Sequence, residues 1–539
     1  MNGIKSPRNW VKSSLSRYQI ILLVVAGLNF VAALLFVAFL LGRVALVKFL
    51  PQTQFFFPYL GVMGLLVLLI VIGRSWLTAA LPRDWVWLNP PLIMMCWTFV
   101  MIVLPGLNSF FDNSGLDLIR WVKLESIAPS MLVKGMFLFV IGYMCLFFAY
   151  LIGLQIIRPF TFIKRLTWRE PSLRWLMIFY AVSVVAQIVQ ILIIGIAYKS
   201  DSSQLGGFSS IRQWIGYIQD IYWVILAIVA VKVFRREWRP QSLIVIIVVQ
   251  VGLNIISGFM KSTLLLGIVV LLAALIAHVN LKRFWILALI MAMLAIAIVP
   301  IAQNLRDQLD RREFDPRNIS SIVAATGRAT ENTWLRGFSV GWDLFTKRTL
   351  GRQALIAYTP GVIMVDTPSY IPYQGIKKFI EIPALFIPRV IWPSKPDLNN
   401  GTWFTIHYFK IPQPYASSAA ITVFGEGYMF AGKLGTVLVG VILGFLLAFL
   451  YRNTASGGLL PILLALVPTF IDVEGQFSGM FVALVEKWFI YIFFYFLVIQ
   501  LSAVGTKKPL LTTRKRSVIV NDHDGNDKQD QVIDHQEGR

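Results

Sequence analysis

Long apolar runs separated by short polar connections dominate the chain. An α-helix needs roughly 20 apolar residues to cross a hydrocarbon core about 30 Å thick. The runs do not alternate polar with apolar residues, as the strands of a transmembrane barrel would. The pattern therefore predicts an all-α, polytopic membrane protein with about 12 transmembrane helices. The predicted spans are 19–41, 56–73, 86–105, 133–156, 174–197, 214–234, 241–258, 262–279, 284–302, 433–451, 458–471 and 484–504.

Composition supports a membrane protein. Hydrophobic residues make up 57% of the chain and charged residues 14%, whereas soluble domains average about 45–50% and about 25%. The formal net charge of +22 would suggest a nucleic-acid partner in a soluble protein. Here most of the excess lies in short connections, where it fits anchoring at the cytoplasmic face. The lipid bilayer is therefore an expected partner, and nucleic acid is not.

Basic residues recur in every second connection, which predicts that both termini are cytoplasmic and that 303–418 lies outside. The first run, Ile20–Leu41, is too long for a signal-peptide core and has no small-residue cleavage site, so we interpret it as a retained anchor. Residues that support this orientation include Arg8, Arg17, Arg74, Arg83, Arg158, Arg174, Lys232, Arg235, Arg236, Arg239, Lys282, Arg283, Arg452, Lys507 and Lys508.

Four regions follow from this pattern. Residues 1–302 form an N-terminal transmembrane bundle of about nine spans, and 303–418 form an extracytoplasmic loop rich in Arg and aromatic residues. Residues 419–505 contain about three further spans. The polar tail 506–539 is expected to be disordered.

The predicted outer loop has the composition of a binding surface. Four arginines, Arg328, Arg336, Arg352 and Arg389, stand among aromatic and apolar residues. A guanidinium binds phosphate oxygens bidentately, and a buried one needs an anionic partner. These arginines therefore indicate an anionic ligand at the outer leaflet, such as a lipid-linked diphosphate. In contrast, the alternating charges of 306–317 are typical of a solvated surface.

Short elements are expected within this loop. The apolar stretches 353–365 and 376–391 are too short to span, so they either re-enter the membrane or lie at its interface. The segment IPRVIWPSKP at 387–396 contains three prolines, which exclude a regular helix. A rigid turn there would hold Arg389 and Lys395 in place; the alternative is an interfacial turn anchored by Trp392.

Two residues are candidate general bases. Glu426 stands between two glycines at the start of the tenth predicted span, where it acts either as a base or as a helix cap. His407 is the only histidine of the predicted outer side and is either a base or a structural residue. The chain has two cysteines and four histidines, scattered along it, so no metal or other cofactor is expected.

Other polar and small residues have structural interpretations. Asp472 and Glu474 mark the end of the eleventh span, although they could also line a cavity. Lys261 lies in a tight turn, where snorkelling to the interface is expected. The pairs Gly440/Gly444 and Gly475/Gly479 have the small-xxx-small spacing that is typical of closely packed membrane helices.

In chain order, the Arg-rich loop, the element Pro388–Pro396 and the sequence GEGYMFAG at 425–432 resemble the Wzy-type oligosaccharide repeat-unit polymerases, which make O-antigen and exopolysaccharide in bacteria. The resemblance is clearest over 300–450. It implies glycosyl transfer at the outer face of the bacterial cytoplasmic membrane, without a cofactor. The substrates would be undecaprenyl-diphosphate-linked oligosaccharides, and a flippase and a chain-length regulator of the same pathway would be partners.

The resemblance also implies roles for individual residues. Arg328, Arg336, Arg352, Arg389 and Lys395 would hold the diphosphate and stabilise it as it departs. Glu426 or His407 would accept the proton of the acceptor hydroxyl, and Tyr428 and Trp392 would stack on sugar rings.

Three alternatives remain open from the sequence. An O-antigen ligase is also a multi-span enzyme and uses the same donor with a different acceptor. A lipid-oligosaccharide flippase or other transporter would place ionisable groups near the bilayer midplane, often on broken helices. A non-catalytic subunit of a polysaccharide-producing complex is the third alternative.

Overall fold

The structure is a computed structural model of the 539-residue chain. It describes residues 55–80, 88–110, 129–160, 171–194, 209–257, 260–310, 313, 318–345, 351–387, 391–392, 400–411, 419–455 and 459–504. Over these residues every regular element is a helix, as the sequence predicts. The predicted span 19–41 and the tail 506–539 lie outside the described residues.

The helices are numbered in chain order. They are α1 (Phe56–Ala80), α2 (Pro90–Thr98), α3 (Leu104–Asn108), α4 (Pro129–Ile156), α5 (Leu173–Ile194), α6 (Ser209–Phe234), α7 (Pro240–Ser257), α8 (Met260–Ile276), α9 (Leu281–Asp310), α10 (Ile319–Phe345), α11 (Gly351–Asp366), α12 (Lys377–Glu381), α13 (Asn400–His407), α14 (Val423–Ala455), α15 (Leu460–Ala465), α16 (Val467–Phe470) and α17 (Phe477–Val504). A π-helical turn, Phe99–Val103, joins α2 to α3, and a 3-10 turn, Ile382–Phe386, follows α12.

Eight helices among the described residues are long and apolar enough to cross a membrane. They match eight of the predicted spans, whereas the total of about twelve stays a prediction. Helix α9 also contains the whole predicted ninth span, and the eighth corresponds to a shorter apolar helix, Lys261–Ile276. The eight helices are Phe56–Thr78, Pro90–Leu107, Pro129–Ile156, Leu173–Leu192, Trp214–Phe234, Pro240–Ser257, Val423–Ala455 and Phe477–Ser502.

Helices α4 and α14 pack closely at the centre of the described bundle. A Cβ atom on Gly440 would lie 2.6 Å from the Gly142 carbonyl oxygen, and one on Gly444 would overlap the Leu146 carbonyl oxygen. Small residues allow membrane helices to approach this closely, so the interpretation of Gly440/Gly444 is confirmed. The Gly475/Gly479 interpretation is wrong, because a Cβ atom on Gly475 would lie closest to Asp472 of its own turn and one on Gly479 would meet nothing within 4 Å among the described residues.

A leucine at position 444 should therefore separate α4 from α14. Gly444→Leu is expected to lower the free energy of unfolding by about 1–3 kcal/mol or more, because the side chain must displace backbone. Gly64→Leu on α1 is the matched control, since a Cβ atom on Gly64 would meet no other described part of the protein within 4 Å. Thermal unfolding of the purified variants in detergent measures the difference. Equal unfolding temperatures for the two variants would contradict this packing.

The chain reverses direction within α14. Ala431 and Gly432 have non-helical backbone angles, and Gly432 has a φ of 62°, which favours glycine. A Cβ atom on Gly427 would lie 2.8 Å from the Gly435 carbonyl oxygen, whereas residues eight apart in a straight helix are about 12 Å apart. The hydroxyl of Thr436 also lies 3.4 Å from the Phe424 carbonyl oxygen. Segment 423–430 is thus a half-helix that folds back on 433–455.

The predicted eleventh span, 458–471, is not a single helix. It forms α15 and α16, which have six and four residues. Pro468 has no backbone N–H to donate and its ring disfavours a continuous helix, which explains the break. Every residue from 459 to 471 except Leu460 and Pro461 is buried in the protein. The segment is therefore as apolar as a membrane span, and hydropathy could not reveal the break. Non-helical backbone at membrane depth is tolerated where protein encloses it.

The region 303–418 is not a separate cap in its described parts. Helix α11 coincides with the predicted apolar stretch 353–365 and is buried along most of its length. A Cβ atom on Gly361 would overlap the Met131 carbonyl oxygen, so α11 lies directly against α4. The second stretch includes α12, and its Phe386 ring lies 6.2 Å from the Phe481 ring of α17. These contacts bring 351–387 against the membrane helices.

Candidate functional site

The half-helix 423–430 begins against the turn 471–476. The N–H of Thr422 donates to the Glu474 carbonyl oxygen over 3.1 Å, and the N–H of Val423 donates to the Val473 carbonyl oxygen over 3.0 Å. The Thr422 hydroxyl accepts from the Gly425 N–H at 3.2 Å, as an N-cap residue does. Two breaks in the helical structure therefore meet at one place, and their backbone groups satisfy one another.

Polar side chains from several helices converge at this place, which we call the polar junction. Lys261 comes from α8, Gln353 from α11, Asn400 from α13, Glu426 from α14 and Ser478 from α17, while Asp472 and Glu474 belong to the turn 471–476. The junction combines three carboxylates with one ammonium group.

Glu426 is completely buried, and both of its carboxylate oxygens accept hydrogen bonds. Asn400 Nδ2 and Ser478 Oγ donate to Oε1 at 2.5 and 3.0 Å, and the Ser478 N–H donates to Oε2 at 2.8 Å. Ser478 is the second residue of α17, so the carboxylate sits at the positive end of that helix dipole. Glu426 thus holds the start of α17 rather than capping its own helix.

Lys261 joins the two acidic residues of the turn. Its Nζ lies 2.5 Å from Asp472 Oδ1 and 2.5 Å from Glu474 Oε1. The predicted snorkelling is therefore wrong, because carboxylate partners within the protein satisfy the ammonium group. The side chain of Asp472 is 47% exposed and that of Glu474 only 13%. Asp472 is consequently the carboxylate of the junction that a bound molecule can reach.

Helix α11 carries one of the predicted phosphate-binding arginines, Arg352, next to a residue of the junction. Gln353 Nε2 lies 3.5 Å from Glu474 Oε2, and Arg352 is its exposed neighbour in the chain. Arg328 is exposed on α10. Arg336 belongs to α10, but its side chain lies outside the described residues, as do Arg389 and Lys395. The predicted arginine cluster thus stays a prediction.

The second candidate base, His407, lies at the other end of α13 from Asn400. An eight-residue helix separates its ends by roughly 10 Å. The exposed His407 ring stacks on Trp403 at 4.2 Å, and its Nδ1 lies 2.8 Å from the Trp403 carbonyl oxygen. Glu426 and His407 therefore do not share one site.

Aromatic side chains lie beside the half-helix. The Tyr373 ring packs edge-on against Tyr428 with centroids 6.1 Å apart, and Tyr373 is the more exposed of the two rings. The neighbouring Tyr408 hydroxyl is 2.5 Å from that of Thr367. Burial raises the pKa of the Tyr408 phenol to about 12. Of the predicted sugar-stacking residues, Trp392 is exposed and Tyr428 is buried beneath Tyr373.

Sequence reasoning missed the partners that complete the junction. Asn400 and Ser478 are 26 and 52 residues from Glu426 in the chain, and Lys261 is 211 residues from Asp472. No local pattern joins positions so far apart. The only sequence signal that Lys261, Asp472 and Glu474 belong to a site was their position beside apolar runs. Charged residues at ordinary helix ends have the same position.

Comparison with known proteins gives a family but no function. No curated protein and no solved structure matched the chain. The profile of a family described as a domain of unknown function (DUF8712) matches residues 143–457, from the middle of α4 to the end of α14, including the half-helix that carries Glu426. Because this match covers more than half of the 539 residues, the protein belongs to the DUF8712 family.

Proposed function

We propose that this protein is a membrane glycosyltransferase that joins lipid-diphosphate-linked oligosaccharide repeat units into a polysaccharide. The observation that carries the proposal is the polar junction, where helices of the region 303–418 meet broken membrane helices around an accessible carboxylate. A junction of this kind gives a reactive group a fixed position next to the bilayer. A lipid-linked substrate needs such a position.

The depth of the junction suits a lipid-linked substrate. Segment 433–455 is about 34 Å long, and the folded-back half-helix returns about 12 Å along it. The start of the half-helix, and with it the turn 471–476, is thus set back from one end of the bundle. A diphosphate headgroup could enter from that end while its lipid chain stays in the bilayer.

The chemistry requires a base and an anion-stabilising group. The oxygen of an acceptor hydroxyl would attack the anomeric carbon of the donor sugar, and its proton would pass to a carboxylate. The bond from that carbon to the diphosphate oxygen would break, and the diphosphate would leave with the electron pair. Arg352 and the other predicted arginines would stabilise the departing charge.

Asp472 is a better base than Glu426 in this arrangement. Both Glu426 oxygens already accept protein hydrogen bonds. Asp472 is half-exposed, and among the described residues its Oδ2 has no hydrogen-bond donor. Lys261 holds the Asp472 carboxylate in position through Oδ1. Tyr373 and the 82% exposed Tyr370 would then offer rings for sugar stacking.

Proteoliposomes containing the purified protein and lipid-linked repeat units test this function. Wild-type protein should form polymer without another protein, and Asp472→Asn should reduce the rate about a hundredfold, as expected for loss of a general base. Glu381→Gln is the matched control, because Glu381 also pairs with a lysine, at 2.7 Å, but outside the junction. Full polymer formation by Asp472→Asn would overturn the role of Asp472.

The acceptor separates a polymerase from a ligase in the same assay. A polymerase needs only lipid-linked repeat units, whereas a ligase transfers the glycan to a different acceptor. Polymer formed from repeat units alone therefore supports the first assignment. An inactive wild-type protein that gains activity when another acceptor is added would support the ligase.

Transport of the lipid-linked unit is a second candidate function. It is favoured by one observation: a lysine and three carboxylates lie where two broken helices meet, as ionisable groups do in secondary transporters. Movement of labelled repeat units across the vesicle membrane, without formation of new glycosidic bonds, would identify a transporter. In that case Asp472→Asn should block movement, and the glycosyltransferase assignment would fail.

A further inference from the structure

Two basic connections, distant in the chain, surround one cavity of about 500 Å³. One connection follows α6 and provides Arg235 and Arg236. The other joins α8 to α9 and provides His278 and Asn280, while Arg283 comes from the first turn of α9. The sequence predicts both connections to be cytoplasmic, but only the fold places their arginines along a common cavity.

The backbone fixes both connections. Arg236 and His278 have φ angles of 63° and 54°, in the left-handed region that usually favours glycine. The Glu237 N–H bonds to the Lys232 carbonyl oxygen at 2.9 Å, and the Val279 N–H bonds to the Ala274 carbonyl oxygen at 3.1 Å. Both helices therefore end in a tight, hydrogen-bonded turn. Arg236 and His278 thus occupy backbone positions that would be less strained with glycine.

The positive charge of the cavity is not neutralised by the described protein. Glu237, the acidic residue next to Arg236, is hydrogen-bonded to Lys232. Over the described residues no ion pair reaches Arg235, Arg236 or Arg283, and all three are exposed. Three arginines that line one cavity provide guanidinium groups for an anion with several oxygen atoms.

The neighbouring apolar side chains place the cavity at a lipid–water boundary. Trp285 and Ile286, which follow Arg283 on α9, are 46% and 50% exposed. Tryptophan is enriched where a membrane helix meets the headgroups. An anion in the cavity would therefore lie at headgroup depth. Basic pockets between membrane helices bind the phosphates of lipid headgroups in this setting.

We propose that the cavity formed by Arg235, Arg236 and Arg283 binds a phosphate group, carried either by the headgroup of an anionic phospholipid or by a soluble phosphate. This site is separate from the polar junction and does not depend on the proposed glycosyl transfer. Arg235 and Arg236 also offset the negative end of the α6 dipole. That role alone would not produce saturable binding.

Ligand-dependent thermal unfolding of the full-length protein in detergent tests the site. The probes are dioctanoyl phosphatidylglycerol, dioctanoyl phosphatidylcholine as the zwitterionic control, and inorganic phosphate. Phosphatidylglycerol should raise the unfolding temperature saturably, and phosphatidylcholine should not. If inorganic phosphate alone has this effect, the source is soluble; if phosphatidylglycerol alone has it, the source is the lipid. No saturable effect of either phosphate probe would overturn the proposal.

Variants locate the binding. Arg235→Gln, Arg236→Asn and Arg283→Gln combined should weaken binding at least a hundredfold, and Arg283→Gln alone about tenfold, because one guanidinium–phosphate contact is worth about a factor of ten. The matched control combines Arg174→Gln, Arg239→Gln and Lys282→Gln, which remove the same charge from residues that do not line the cavity. Equal weakening by the two triple variants would overturn the proposal. If the cavity triple variant does not fold, Arg283→Gln alone decides the question.

Discussion

Replacing Lys261 with methionine should strongly reduce polymer formation and destabilise the protein. The substitution leaves Asp472 and Glu474 next to each other without the ammonium group that lies 2.5 Å from both. Removing one partner of a buried pair costs about 3–5 kcal/mol. Because Asp472 is half-exposed and Glu474 is not, we expect about 2–3 kcal/mol, most of it from Glu474. The rate should fall by up to about a hundredfold, the loss expected for Asp472→Asn, since Asp472 loses the partner that positions it.

Lys378→Met is the matched control for this experiment. Lys378 forms an ion pair with Glu381 at 2.7 Å, three residues apart on α12, and both side chains are about 30% exposed. Such surface pairs are worth about 0.2–1 kcal/mol, so this variant should unfold and polymerise almost as the wild type does. Lys261→Arg should keep the fold and part of the activity. A Lys261→Met variant with wild-type stability would show that the ion pair does not hold the turn 471–476.

A double variant distinguishes the effect of Lys261 on stability from its effect on catalysis. Lys261→Met combined with Glu474→Gln removes the uncompensated buried charge, so the free energy of unfolding should recover towards the wild-type value. Polymer formation should stay low, because Asp472 still lacks its positioning partner. If activity recovered together with stability, Lys261 would have only a structural role.

Truncation of Glu426 is expected to have the largest effect on stability. Glu426→Ala leaves the Ser478 N–H and Asn400 Nδ2 buried without an acceptor and creates a cavity at the start of α17. Unsatisfied buried donors cost about 1–3 kcal/mol each, so the free energy of unfolding should fall by roughly 3–5 kcal/mol. Thermal unfolding in detergent measures this value. Protease susceptibility near Phe477 should rise in parallel.

Glu426→Gln tests whether Glu426 is a structural residue or a base. Glutamine has the same shape, but its NH₂ group would face donors, so an intermediate loss of about 2 kcal/mol is expected. If Glu426 only holds α17 in place, this variant should still form polymer at a temperature where it is folded. Complete loss of polymer at wild-type stability would instead support Glu426 as the base. Glu381→Gln again serves as the control.

The membrane helices could be predicted because their signal is local. A run such as 133–156 is apolar all round and becomes a helix in lipid, whatever its neighbours are. Hydropathy failed where a segment is enclosed by protein instead of lipid. The segment 458–471 is as apolar as a span, yet it forms two short helices, and the half-helix 423–430 turns back at Gly432. Apolar side chains are favoured both in the protein interior and in lipid. The sequence pattern therefore cannot distinguish a segment enclosed by protein from one that spans the membrane.

The site could be predicted only in part for a related reason. Glu426 stands out because a carboxylate between glycines at the edge of an apolar run is unusual. Its role depends on which donors reach it, and Asn400 and Ser478 approach only after the chain has folded. Lys261 likewise has an ordinary position in the sequence, and its ion pairs are decided by the packing of α8 against the turn 471–476.

By itself, the sequence determined that this protein is helical and built for a bilayer, because backbone hydrogen bonds must be satisfied within each apolar run. It also determined where the charged residues lie along the chain. The tertiary structure alone decided which charged residues come together: Lys261 pairs with Asp472 and Glu474, and Arg235, Arg236 and Arg283 line one cavity. Contacts between distant residues depend on how helices pack, and the pattern of apolar and polar positions does not encode that packing residue by residue.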